Sequence, residues 1–150
     1  MDVPEIVTVD DTGRDRLLGN GGVGVLSFAG DGGDPPHSIP VSYGYDVSEA
    51  TFYFRLAVDE DSAKGEIADH SVTFVVHGTD DDLGYWSVVA SGHLETLEKA
   101  DVTTDALDGL DSVQIPLVDI FGTSTRNVTF EFARLISESF TARTDSPTTE

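Results

Sequence analysis

Apolar and polar residues alternate through six stretches of this chain. They are Val23 to Ala29, Ser38 to Tyr45, Thr51 to Ala57, Ser71 to Gly78, Tyr85 to Leu97 and Val128 to Ile136. A period of two, in runs rich in valine, threonine, phenylalanine and tyrosine, predicts a β-strand for each. The breakers Gly30-Asp31-Gly32-Gly33-Asp34-Pro35-Pro36 separate the first two. Asp46-Val47-Ser48-Glu49 is short enough to join the second and third as an antiparallel hairpin. Val9 to Leu18 reads as a short helix with acids at its start, stopped by Gly19-Asn20-Gly21-Gly22. Val58 to Asp61 reads as an acidic loop. Ser62 to Asp69 suits a second short helix, with Asp61 or Ser62 as its N-cap. Thr79 to Gly84 is a turn, and Gly92 marks a bulge or bend inside the longest strand. Glu98 to Gly109 is polar and mildly helical, and Val113 to Phe121 mixes short extended pieces around Pro116.

About six strands, mostly joined by short loops without regular strand–helix alternation, exclude a doubly wound sheet. They predict a mainly β fold, a small antiparallel barrel with peripheral helices. At 150 residues the chain is expected to form one domain over residues 1–143, with 144–150 as a disordered tail.

Charge changes the picture more than composition does. The chain carries 28 acidic and 8 basic residues, a formal net charge of −20. Such a field repels nucleic-acid phosphates and anionic membranes, so neither is an expected partner. Three readings of the charge compete: disorder, an acidic interaction protein, and a cytosolic protein of an extreme halophile. In 1 M salt the Debye length is only ~3 Å, so self-repulsion largely disappears. The acids are dispersed between β-rich segments, which favours the halophile. Cysteine is absent, which excludes disulfides and thiolate chemistry. The N-terminal Met-Asp-Val-Pro-Glu has no basic or apolar targeting character, and no apolar run approaches ~18 residues. A cytoplasmic location is expected.

Few residues suggest chemistry directly. His37, His70, His77 and His93 lack metal-ligand spacing, and no metal site is expected. Ser87 and Ser91 lie outside any Gly-x-Ser-x-Gly elbow. Gly19-x-Gly21-Gly22-x-Gly24 follows a helix and precedes a strand, the reverse of a dinucleotide fingerprint. The rare cations say more. Lys64 lies just inside a predicted helix beside Ser62, a combination suited to a phosphate, and Arg55 ends the strand leading there. A solvated lysine on a helix is the plainer reading of that pattern.

The order of segments adds a resemblance. Gly22-Val23-Gly24-Val25-Leu26-Ser27, Pro36 to Asp46, Phe52-Tyr53-Phe54-Arg55-Leu56, Ser62-Ala63-Lys64 and Tyr85 to Glu95 follow one another with sensible spacing. Over about residues 10–140 the sequence resembles the pyridoxamine 5′-phosphate oxidase-like family, closest to its nitroimidazole-resistance-like flavoprotein branch, in an acid-rich version that looks haloarchaeal. The resemblance implies an FMN-binding split barrel, a homodimer with FMN at the subunit interface. Pro40, Ser42, Gly44 and Tyr45 would run alongside the isoalloxazine ring. Arg55 stands where relatives often carry histidine, and could meet phosphate. Ser62 and Lys64 match the loop that holds the FMN phosphate, and Trp86, Ser87 and Val88 match a segment contacting the flavin or ribityl chain. Phe140-Thr141-Ala142-Arg143 resembles a C-terminal Thr-Gly-Arg element without its glycine. The function implied is an FMN-dependent oxidoreductase acting on a small organic substrate, with no catalytic residue singled out. The alternatives are a flavin- or haem-binding protein without turnover, and a reductase using the deazaflavin F420.

Two outcomes are expected. The melting temperature rises from low to molar salt, checked by thermal denaturation across a salt series; a flat curve refutes the halophile reading. Lys64→Ala weakens FMN binding by about 1.5–3 kcal/mol, roughly ten- to hundredfold, measured by flavin titration.

Overall fold

The computed structural model of the chain describes residues 6–30, 32–59, 70–112 and 128–145. The alternating stretches fold as β2 (Gly21–Phe28), β3 (His37–Asp46), β4 (Thr51–Asp59), β5 (Ser71–Asp80), β6 (Gly84–Leu97) and β7 (Val128–Asp145). A three-residue strand, β1 (Ile6–Thr8), joins the far end of β7. The sheet runs β1-β7-β4-β3-β2-β5-β6, and β6 pairs back onto β7. Six antiparallel strands therefore close into a barrel. The strand β7 makes the closure, pairing with different neighbours along its length. Its first part pairs with β4, from Val128 to Arg134, and most of it pairs with β6, from Phe132 to Thr144.

Period-two alternation sends one residue set inward. Leu26, Val41, Tyr43, Tyr45, Phe52, Phe54, Phe74, Val88, Leu94 and Leu135 are buried in a single cluster. Rings fill most of it. Phe74 meets Phe54 at 4.8 Å, Phe52 at 5.0 Å and Tyr43 at 5.5 Å, all edge-on, the arrangement the ring quadrupole favours. Tyrosines inside a barrel need partners for their hydroxyls, and α1 (Asp11–Leu18) supplies them. Tyr43 donates to the Leu18 carbonyl at 3.0 Å and Tyr45 to Asp15 at 2.7 Å. Burial pushes the Tyr43 hydroxyl up to about 12. Burial raises Tyr45 as well, reinforced by its bond to the Asp15 carboxylate. Asp10 caps the helix by accepting from the Gly13 amide at 2.8 Å, and Gly19 ends it at φ 60°.

A second helix, α2 (Thr104–Ser112), lies against the outside of β3 and β4. Val102, Ala106 and Leu110 form a small core there with Tyr53. The approach is close. A Cβ on Gly44 would overlap the Ala106 carbonyl, and one on Gly109 would overlap the Asn20 carbonyl.

Several boundaries differ from those the sequence suggests. The strand β4 continues to Asp59 rather than yielding to a loop at Val58. The last strand extends nine residues past Ile136, so Thr144 and Asp145 belong to the sheet rather than to a tail. Its middle, Ser137-Glu138-Ser139, lacks the apolar alternation that marks a strand. A register shift between Ser91 and Gly92 accommodates it, where a Cβ on Gly92 would collide with the Ile136 carbonyl. The predicted helix at 62–69 and the pieces at 113–121 lie outside the described residues.

The β3–β4 turn depends on Asp46, which accepts from Ser48 Oγ at 2.6 Å and the Glu49 amide at 3.2 Å. Burial pushes its carboxyl up, but bonds from Ser48, Thr103 and the turn amides outweigh burial and hold it below the ordinary aspartate range. A depressed folded value stabilises above the unfolded pKa of ~3.9 and is lost as the pH falls through the folded value. Asp46→Ala is expected to cost about 1–3 kcal/mol at neutral pH. In denaturant titrations at falling pH, the gap from the parent closes.

Candidate functional site

The residues pointing away from the barrel interior form cross-strand rows. Pro40, Val25, Val75, Val89 and Thr141 make one row across five strands. Beside it run Ser38, Ser27, Thr73, Ser91 and Ser139, also in register. Two hydroxyl pairs confirm their shared side: Ser27 with Ser38 at 2.7 Å, and Thr73 with Ser91 at 3.2 Å. On the other flank of the valine row, His77, Ser87, Arg143 and Thr8 cross from β5 to β1. Val23 and Ser42 continue that flank on β2 and β3. The β2–β5 ladder ends at Val25 and Val75, so the two strands are unpaired between Val23 and His77.

None of these positions holds a carboxylate. In a chain with 28 acids, this is the feature of the face that calls for explanation. The acids return at strand ends and turns, at Asp80, Glu138 and Asp145. The face is also partly apolar and open, with Val23 46% and Val25 37% exposed.

The sequence candidates sort by strand parity. Pro40 and Ser42 lie on this face, Pro40 exposed and Ser42 buried. Ser42 and Arg55 are the next residues beyond the registered pair Tyr43–Phe54, so β3 and β4 bring them side by side. Arg55 lies over the Phe130 ring at 5.3 Å and reaches the exposed carboxylate of Asp111 at 3.5 Å. Ser87 faces outward as well. Its two neighbours do not: Val88 is 1% exposed inside the barrel core, and Trp86 packs onto that core against Gly78. A ligand on the outer face meets the Ser87 side chain but only the backbone of Trp86 and Val88. Gly44 is covered by α2, and Tyr45 points into the core. Ser62 and Lys64 lie outside the described residues.

Register adds His77 to the outer row. A histidine near a strand end is unremarkable in sequence. Only the pairing of β5 with β6, and of β6 with β7, sets it in line with Ser87 and Arg143.

The cations divide by their partners. Arg14 meets Asp15 at 3.0 Å, Arg16 meets Asp80 at 3.1 Å, and Arg134 donates to Glu95 at 2.6 Å. The bond to Glu95 raises Arg134 above its ordinary value. Among the described residues, Arg143 and Lys99 have no carboxylate partner. A cavity of about 580 Å³ lies elsewhere, lined by Glu95, Thr96, Leu97, Glu98, Asp101, Glu131 and Arg134. Four carboxylates around one already paired arginine repel a phosphate. Among the described residues no cluster of side chains is arranged to hold a metal ion.

Comparison with known proteins bears on the family and the fold. The family model described as pyridoxamine 5′-phosphate oxidase matches residues 10–144. No curated protein matches. Among solved structures, an FAD-binding protein from Mesorhizobium loti superposes with TM-score 0.63 at 22% identity, covering 92% of this chain and 96% of that one. The FAD binding protein from Mycobacterium smegmatis gives 0.58 at 20%, covering 92% and 98%. The FAD and heme binding protein of the same organism gives 0.57 at 14%, covering 95% and 74%. At these identities the likeness is one of fold.

Proposed function

This chain belongs to the pyridoxamine 5′-phosphate oxidase family, and on that premise we propose an FMN-dependent oxidoreductase whose flavin lies on the outer barrel face between two copies of the chain. The observation that carries this reading is the face without carboxylates. Two molecules of charge −20 repel each other, and least where no carboxylate faces the partner. A flavin likewise asks for a flat, uncharged wall with a few hydrogen-bonding groups and a cation for its phosphate.

The residues present fit such a group. Pro40, Val23 and Val25 offer apolar wall, while Ser42 and Ser87 offer hydroxyls. Arg55 stands beside Ser42 at the edge of this surface. Its contact with Asp111 is long and exposed, which leaves donors of the five-donor guanidinium for a phosphate. Ser62 and Lys64, which follow β4 in sequence and match the family's phosphate loop by resemblance, are assigned to the same phosphate. FMN, when bound, supplies the hydride or electron chemistry. The chain binds it, orients the ring against the sheet, and excludes water through the second copy. The acid-rich remainder of the surface suits the concentrated salt of a halophile's cytoplasm. The fold shared with the FAD and heme binding protein supports a second reading, a flavin or haem carrier without turnover.

Protein purified in molar salt is expected to bind FMN stoichiometrically, with a flavin visible spectrum, and to scatter light as a dimer. Absence of bound flavin at molar salt overturns the reading. Bound FMN that no donor reduces and no acceptor reoxidises, across a panel of each, favours the carrier. Val25→Asp puts a carboxylate in the central row and is expected to give monomers with weakened flavin binding. Val47→Asp, in the exposed β3–β4 turn, leaves both unchanged.

A further inference from the structure

We propose that Arg143, flanked by Ser87 and His77, is a second anion-binding position that takes a phosphate or pyrophosphate group. The argument begins with ion pairing. Arg14, Arg16, Arg55 and Arg134 each meet a carboxylate of this chain. Arg143 is exposed and meets none among the described residues. With acids outnumbering bases 28 to 8, Arg143 is the exception among the described arginines. This one occupies a row in which its cross-strand neighbours are Thr8 and Ser87, with His77 next beyond Ser87. The row is two hydroxyls, a guanidinium and an imidazole, donors that suit phosphate oxygens. Excluding carboxylates also keeps the guanidinium's charge from being neutralised within the fold.

Its place separates it from the Arg55 end of the face. β4 borders β7 directly, but there Arg55 is in register with Phe132, and Arg143 lies eleven residues farther along β7 (132 to 143), roughly 36 Å of strand at ~3.3 Å per residue. One phosphate cannot touch both arginines of the same copy. Arg143 therefore serves a different anionic group, either the second phosphate of a dinucleotide or the phosphate of a separate ligand. The inference rests on register and charge, and stands apart from the flavin reading.

The test measures binding to the full chain at the lowest salt that keeps it folded, with inorganic pyrophosphate as probe and calorimetry as readout. Wild type binds, and Arg143→Ala weakens binding about ten- to hundredfold at unchanged mass and circular dichroism. Arg143→Lys restores most of the affinity, and His77→Gln weakens it less than Arg143→Ala does. Titrations with FMN and FAD identify the source. Selective loss of FAD affinity in Arg143→Ala assigns the second phosphate of a dinucleotide. Unchanged affinity for both flavins assigns a separate phosphorylated ligand. Arginine-dependent pyrophosphate binding in a protein that takes neither flavin keeps this site and overturns the flavin reading. Failure of wild type to bind pyrophosphate, equal binding by Arg143→Ala, or loss of binding only with a change in oligomeric mass overturns the proposal.

Discussion

Everything in this fold depends on β7 satisfying two sets of backbone groups at once. A sheet of six strands has two edges, and each edge exposes unpaired amides and carbonyls. Here one long strand borders β4 at its start and β6 over most of its length, so the six-strand cycle closes. Closure fixes register, and register fixes which side every residue faces. A slip of one residue would send Phe52, Phe54 and Phe74 outward and bring serines and threonines into the core. The ring cluster, the helix that caps its tyrosines and the uncharged outer face all follow from that single constraint.

The distribution of charge follows from the same parity. Carboxylates occupy turns, helices and strand ends, where water and salt solvate them. They also pair most of the described arginines, and exposed pairs of this kind contribute little stability, commonly ~0–1 kcal/mol each. Acid-rich composition thus explains the exterior without explaining the fold, which is held by buried rings and aliphatic side chains. The outer face of β2, of β3 from Ser38 to Ser42, of β5 to His77, of β6 from Ser87 to Ser91 and of part of β7 is exempt from that composition. Exemption on a contiguous surface, rather than at scattered positions, is the mark of a region with work other than solvation.

Much of the fold is legible locally. The helix α1 announces itself by Asp10 and by Gly19, and the β3–β4 hairpin by a short turn between two aromatic runs. Gly92 is readable as a bulge because glycine inside a long strand needs a reason. What escapes local reading is set by distant partners. The strand β1 exists only because β7 reaches far enough to pair with it. The polar second half of β7 has no strand pattern of its own and is held by β6. The same limit applies to the site. Pro40, Ser42 and Ser87 share a face, whereas Trp86 and Val88 turn toward the barrel, because adjacent strand residues alternate. His77 and Arg143 lie 66 positions apart (77 to 143) and meet one row only through two successive strand pairings.

The serine–threonine row has a thermodynamic meaning of its own. A bare hydroxyl stripped of water without a replacement partner costs about 1–3 kcal/mol. Ser27 bonds Ser38, and Thr73 bonds Ser91, across neighbouring strands. Each pair therefore carries its replacement bond before anything arrives. The sheet presents a polar surface that stays hydrated when open, yet loses little when water leaves it. Such a surface permits contact that is reversible rather than permanent: soluble when uncovered, inexpensive to dehydrate when covered, and without the large greasy patch that would drive aggregation.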